Sequence, residues 1–240
     1  MNKLPYDARR RALLAALASA AAGPALLAWR PALAQLAGLS EADASAGLKA
    51  ALELGANAAV KLLGRTDGFW GNDKLRIPLP DWLRRSETAL KLAGRGKDVE
   101  AMKLGINRAA EQAVPQAQSL LIDAVKSMSV TDAKAILTGG DDSVTRFFAD
   151  KTRAPLTQRF LPIVTQTTEK IGLAQQYNAL VDQAGKMGLG GSGIVRLENY
   201  VTEKALDGLY TVIGEEERKI RRDPVGAGSA IVSKVFGALK

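Results

Sequence analysis

Apolar residues recur at helical spacing along almost the entire chain, broken by glycine and proline rather than by strand-like alternation. Leu48, Ala51, Leu52, Ala56, Ala59, Val60 and Leu63 fall on one side of a 3.6-residue period, and Gly64 closes the run. Ser40, three residues before Asp43, resembles a capping box with Asp in place of Glu. Residues 65–81 interrupt the pattern as a loop, with Asp67-Gly68-Phe69-Trp70-Gly71-Asn72 followed by Ile77-Pro78-Leu79-Pro80. The prolines place the next helix start near Asp81, and Gly94 ends it.

The longest amphipathic stretch runs from about Asp98 to Met128. Its stripe is Val99, Met102, Ile106, Ala109, Ala113, Ala117, Leu120, Ala124 and Met128, with a kink expected at Pro115, which crowds the carbonyl of Glu111. A short helix over Thr131–Leu137 stops at Gly139-Gly140, and Asp141 or Asp142 is positioned to cap another through Phe147 and Phe148. Residues 154–184 continue the helical pattern, with a kink or break expected at Pro162. Five glycines between Gly185 and Gly193 make the best linker candidate. Leu197, Val201, Ala205, Leu209 and Ile213 then repeat four apart, with Glu215–Lys219 and Glu217–Arg221 as i,i+4 pairs and Pro224 as terminator. Ile231, Val232, Val235, Phe236 and Leu239 predict a final amphipathic helix. The expected fold is all-α, a multi-helix bundle with proline-kinked helices and one domain over residues 35–240. The 47 residues after the glycine-rich segment are too few to bury a core alone.

The first 34 residues stand apart. Arg10 and Arg11 precede an alanine-rich run ending at Ala28, and Ala32-Leu33-Ala34 is a small-x-small cleavage site. Gly23 and Pro24 interrupt the run, which suits a cleaved signal better than a membrane anchor. Weak hydrophobicity and the paired arginines favour the twin-arginine route, with cleavage after Ala34 and a periplasmic destination.

That segment changes the reading of charge. The chain has 33 basic and 25 acidic residues, a net +8. Five of those basic residues (Lys3, Arg9, Arg10, Arg11, Arg30) and one acid (Asp7) lie before the cut, leaving +4 for the exported part. Basicity is therefore poor support for a nucleic-acid partner, which export also excludes. The chain has no cysteine and no histidine. Disulfides, histidine metal sites and Ser–His or Cys–His catalysis are closed to it, and no cofactor is expected.

Gly68-Phe69-x-Gly71-Asn72, Ile77-Pro78-Leu79-Pro80, Asn107-Arg108-Ala109-Ala110-Glu111-x-Ala113-Val114-Pro115 and Ala205-Leu206-Asp207-Gly208-Leu209 occur in that order. With these motifs the chain resembles a group of exported bacterial proteins known only as a domain of unknown function (DUF 4197), from about Leu39 to Phe236. The resemblance implies an all-helical envelope protein and carries no activity, substrate, cofactor or catalytic residue.

Two places merit consideration as ligand or interaction sites. Phe69 and Trp70, flanked by glycines, either form a ligand-facing or membrane-touching lip or plug one end of the bundle. Asn107, Arg108 and Glu111, on the turns before Pro115, either bind a ligand or satisfy the broken helix as a buried network. In both cases the architectural alternative is the simpler. Asp141-Asp142 lacks the ligand pattern of a calcium loop, and Glu215-Glu216-Glu217 reads as a solvated face.

Three functions fit. The first is a non-enzymatic periplasmic protein that binds an apolar small molecule or another envelope protein. The second is a carboxylate-dependent hydrolase of wall or surface polysaccharide, which requires an acid pair in an open cleft. The third is a scaffold in peripheral contact with the membrane through the Phe69-Trp70 loop or the tail.

Overall fold

The computed structural model describes residues 41–140, 142–188, 196–226 and 232–233. The arginine pair Arg10-Arg11, the cleavage site Ala32–Ala34, the cap Ser40 and residue Asp141 lie outside the described residues. So do positions 189–193 of the glycine-rich segment and all of the tail stripe except Val232.

Every regular element among the described residues is helical. Helix α1 is Glu41–Leu63 and α2 is Asp81–Leu90. A wide turn, Lys91–Arg95, has Gly94 at φ 80° and joins α2 to α3, Gly96–Ala113. A tight 3-10 turn, Val114–Gln116, then leads to α4, Ala117–Lys126. Helix α5 is Val130–Thr138, α6 is Ser143–Lys170, α7 is Leu173–Lys186 and α8 is Leu197–Arg222.

The buried apolar side chains form one contiguous core. Its largest helix–helix interface is between α6 and α8, with α3 packed on both and α1 packed on α8. All seven apolar positions anticipated for α1 are buried, as are the five leading positions of α8. Val232, beyond the end of α8, is also fully buried in this core.

Four details differ from expectation, each for a local reason. First, the helix is interrupted at Pro115 by a 3-10 turn, and α4 beyond it packs chiefly on α1 and α6, whereas α3 packs on α6, α7 and α8. After it, Leu121 and Val125 are buried while Leu120 and Ala124 are only partly so.

Second, Pro162 does not break its helix. Helix α6 runs uninterrupted through both Pro155 and Pro162. The two prolines are seven residues apart, hence on one side, and the carbonyls they deprive belong to Lys151 and Gln158, which are exposed to water. The real break comes at Gly172, whose φ of 69° glycine tolerates without strain.

Third, Asp142 stands at the start of α6 but makes no side-chain capping bond, and its carboxylate meets Arg146 at 3.2 Å instead. Ser129, by contrast, forms a complete capping box with Asp132 at the start of α5.

Fourth, Lys219 pairs with Glu216 at 2.5 Å rather than with Glu215, and Glu217 is buried rather than solvated. The Glu217–Arg221 pair is present as expected, at 2.8 Å. Helix α7 extends through Gly185 to Lys186, so the first part of the glycine-rich segment is helix.

Candidate functional site

The segment between α1 and α2 is held against α3 and α8 as a strap. It buries Phe69, Leu75, Ile77 and Leu79. Its backbone polar groups need partners that no helix supplies, and α3 provides them from successive turns. Asn107, fully buried, accepts from the Ile77 N–H at 2.8 Å through Oδ1 and donates through Nδ2 to the carbonyls of Ile77 (3.0 Å) and Lys103 (2.8 Å). One turn on, Oε1 of Glu111 accepts from the N–H groups of Phe69 and Trp70, each at 3.1 Å. Its Oε2 accepts from Arg108 at 2.6 Å. Arg108 reaches onward to Asp67 at 2.7 Å, and Asp67 adopts the left-handed conformation at φ 64°. The Glu111 bond to Arg108 raises the guanidinium's affinity for its proton still further.

The aromatic pair of the strap divides its roles. Phe69 is wholly enclosed, its ring lying over Gly208 of α8, where a β-carbon would come within 2.5 Å of Cε1. Trp70 is half-buried, with the Arg76 guanidinium 4.8 Å from its ring centroid and Arg76 Nε donating to the Trp70 carbonyl at 2.8 Å. From α8, the Tyr200 hydroxyl donates to the Pro78 carbonyl at 2.9 Å; burial pushes this phenol up to about 12. Phe69, Trp70, Asn107, Arg108 and Glu111 are thus brought together as one structure whose hydrogen bonds are made within the chain. The motifs that carry the family resemblance converge here, and what they build is a strap on a helical body.

A second polar cluster joins α5, α6 and α8. Glu217 is 6% exposed. Its Oε1 accepts from Arg221 Nη2 at 2.8 Å and Nε at 3.0 Å, and from the Ser143 hydroxyl at 3.3 Å. Arg221 also donates to the Ile136 carbonyl at 3.0 Å, satisfying the end of α5. Oε2 of Glu217 has no hydrogen-bond partner. Burial pushes this carboxyl above its ordinary range, against the pull of Arg221. Glu217 also lines an apolar crevice with Leu52, Val144, Phe148, Ile213 and Ile220. At about 10 Å³ the crevice has room for a single water and nothing larger. Sequence reading missed Glu217 although a signal was present: the four-residue spacing 197, 201, 205, 209, 213 lands next on 217.

Two larger grooves open at the surface. One, of about 440 Å³, lies between α5 and α6 and presents Asp132, Asp150, Arg146 and Lys151. The other, of about 360 Å³, lies between α6 and α8. In the first, Asp132 accepts from the Ser129 N–H at 3.0 Å and hydroxyl at 2.8 Å, which hold its carboxyl below its usual range. Such a group stays ionised and suits a cap, not the proton donor that glycoside cleavage requires. Among the described residues no cluster of metal-binding side chains occurs, and no helix is long and apolar enough to cross a membrane.

A family model described as "Protein of unknown function (DUF4197)" matches residues 38–237. Neither a curated protein nor a solved structure matches the chain.

Proposed function

Starting from the fact that the chain belongs to the DUF4197 family, whose name carries no activity, we propose that it is an exported, non-enzymatic binding or interaction protein of the bacterial envelope. The observation that carries this reading is that buried Asn107 and Glu111, with Arg108 beside them, spend their hydrogen bonds on the strap and on one another. These bonds secure the strap, and the three residues are thereby committed to architecture. The crevice at Glu217 is too small for a small-molecule ligand, so recognition belongs to the surface grooves and faces.

Export is supported by the Arg10-Arg11 pair, the interrupted apolar run and the Ala32-Leu33-Ala34 site. The family match opens at residue 38, just past the expected cut after Ala34. Folding by local helix packing suits the twin-arginine route, which carries folded cargo. A peripheral membrane role through Phe69 loses its support, because that side chain is enclosed.

Cell fractionation with N-terminal sequencing of the recovered protein tests the assignment. The expected result is a periplasmic chain beginning at Gln35 that releases no reducing ends from wall or surface polysaccharide. A cytoplasmic chain that retains Arg10 and Arg11, or one that hydrolyses such a polymer, would overturn it.

A further inference from the structure

The groove between α6 and α8 is bounded on the α8 side by Asn199, Thr202, Glu203 and Leu206 and on the α6 side by Arg153 and Leu161. Its volume of about 360 Å³ lies within the range of small-molecule sites. Thr202 is 1% exposed, yet its Oγ1 has no hydrogen-bond partner. A threonine inside a helix ordinarily returns its hydroxyl to the carbonyl four residues back. Thr152, Thr157 and Thr211, in the same two helices, do so at 2.6, 2.9 and 2.8 Å. Thr202 does not, and a buried hydroxyl left unmade lowers the stability of the protein that carries it.

Thr202 shares the groove with charged, polar and apolar side chains. Arg153 is held in place, its guanidinium 5.0 Å from the Tyr210 ring centroid and its Nη2 donating to Asp207 at 3.0 Å. A guanidinium has five N–H donors, so others are left for a guest. Glu203 offers acceptors beside it, and the two charges offset each other. Asn199 and Thr202 each donate and accept. Leu161 and Leu206 supply an apolar patch. A mixed donor and acceptor set without net charge, backed by a small apolar surface, matches a guest whose hydroxyls also donate and accept and whose C–H face is apolar.

We propose that this groove binds a sugar ring, and that the Thr202 hydroxyl, closed off in the free protein, turns to the guest as its anchor. The proposal rests on the binding-protein reading above and names the ligand class for it.

Saturation-transfer NMR on the purified protein with glucose, maltose, N-acetylglucosamine and chitobiose tests it, with Thr202→Val as the variant that keeps shape and removes the hydroxyl. At least one saccharide is expected to show transfer, with affinity falling about tenfold in Thr202→Val, the loss of one well-made hydrogen bond. Without saccharide, the same variant is expected to melt about 2–4 °C higher, because an unmade buried hydroxyl is gone. Transfer from none of the four, or wild-type binding by Thr202→Val, overturns the sugar site. A variant that melts below the wild type overturns the premise that Oγ1 is free. Failure of all four saccharides alongside a co-purifying protein partner would remove the sugar site and leave the broader binding reading intact.

Discussion

The ring of Phe69 and the bare α-carbon of Gly208 fit against each other so closely that a methyl group at position 208 would lie 2.5 Å from Cε1. This is where the strap, belonging to neither helix it joins, is keyed into α8. Gly208→Ala gains up to about 1 kcal/mol of helix propensity. Displacing a fully enclosed ring costs about 1–3 kcal/mol, so the expected net effect is a loss of about 1–2 kcal/mol. Urea unfolding measures it. A double variant with Phe69→Leu is expected to recover part of the loss, since the two sites are in contact and their effects do not add.

Glu111 gathers the backbone N–H groups of buried Phe69 and half-buried Trp70 and one guanidinium on a single carboxylate. Glu111→Ala leaves all three without that partner and is expected to destabilise by about 3–5 kcal/mol. Glu111→Gln keeps an oxygen for the two amides and loses only the charged contact, for about 1–2 kcal/mol. Thermal or urea unfolding of the pair checks the order; equal losses would mean that the backbone bonds contribute little.

Trp82 of α2 donates its indole N–H to the Tyr177 hydroxyl of α7 at 3.0 Å, with the rings edge-on at 5.5 Å. Tyr177→Phe retains the ring contact and orphans a buried donor. A loss of about 1–3 kcal/mol is expected, readable in the unfolding midpoint and in the Trp82 fluorescence.

The helix pattern was legible because α1, α3 and α8 each bury one continuous stripe, and a stripe at 3.6-residue spacing depends only on local order along the chain. The motif cluster was legible too, down to the choice between a ligand site and a buried network around Pro115. What escaped were outcomes fixed by tertiary surroundings. Pro162 reads as a kink or break, yet it lies on the outward side of α6, where the residue whose carbonyl it deprives, Gln158, is exposed to water. Glu217 read as solvated because its neighbours Glu215 and Glu216 are charged, although its register placed it on the buried stripe. Thr202 carried no sequence signal at all: whether a threonine hydroxyl turns back to its own helix depends on side-chain rotation, which spacing does not encode.

Glu217 makes stability depend on pH in a definite direction. Its folded-state carboxyl is raised above its ordinary value near 4.5, so the protonated form is favoured by folding. The stability contribution is fully present below that ordinary value and is lost as pH rises through the raised one. Between about pH 4 and about pH 8, the urea midpoint of the wild type is therefore expected to fall relative to that of Glu217→Gln, which does not titrate. Glu87 works oppositely. Burial tends to raise it, but bonds from Lys103 and Lys91 outweigh that and lower it, so its contribution is lost in acid. Comparison with Glu217→Gln at each pH isolates the Glu217 component; a pH-independent difference would contradict a raised carboxyl.

Binding in the envelope, from the protein's surface, is the function proposed above. The most direct measurement is native mass spectrometry of the chain recovered gently from periplasmic extract, across independent preparations. A reproducible mass above that of the bare chain, from a ligand or a second protein and lost on denaturation, is expected. A bare mass in every preparation would contradict it.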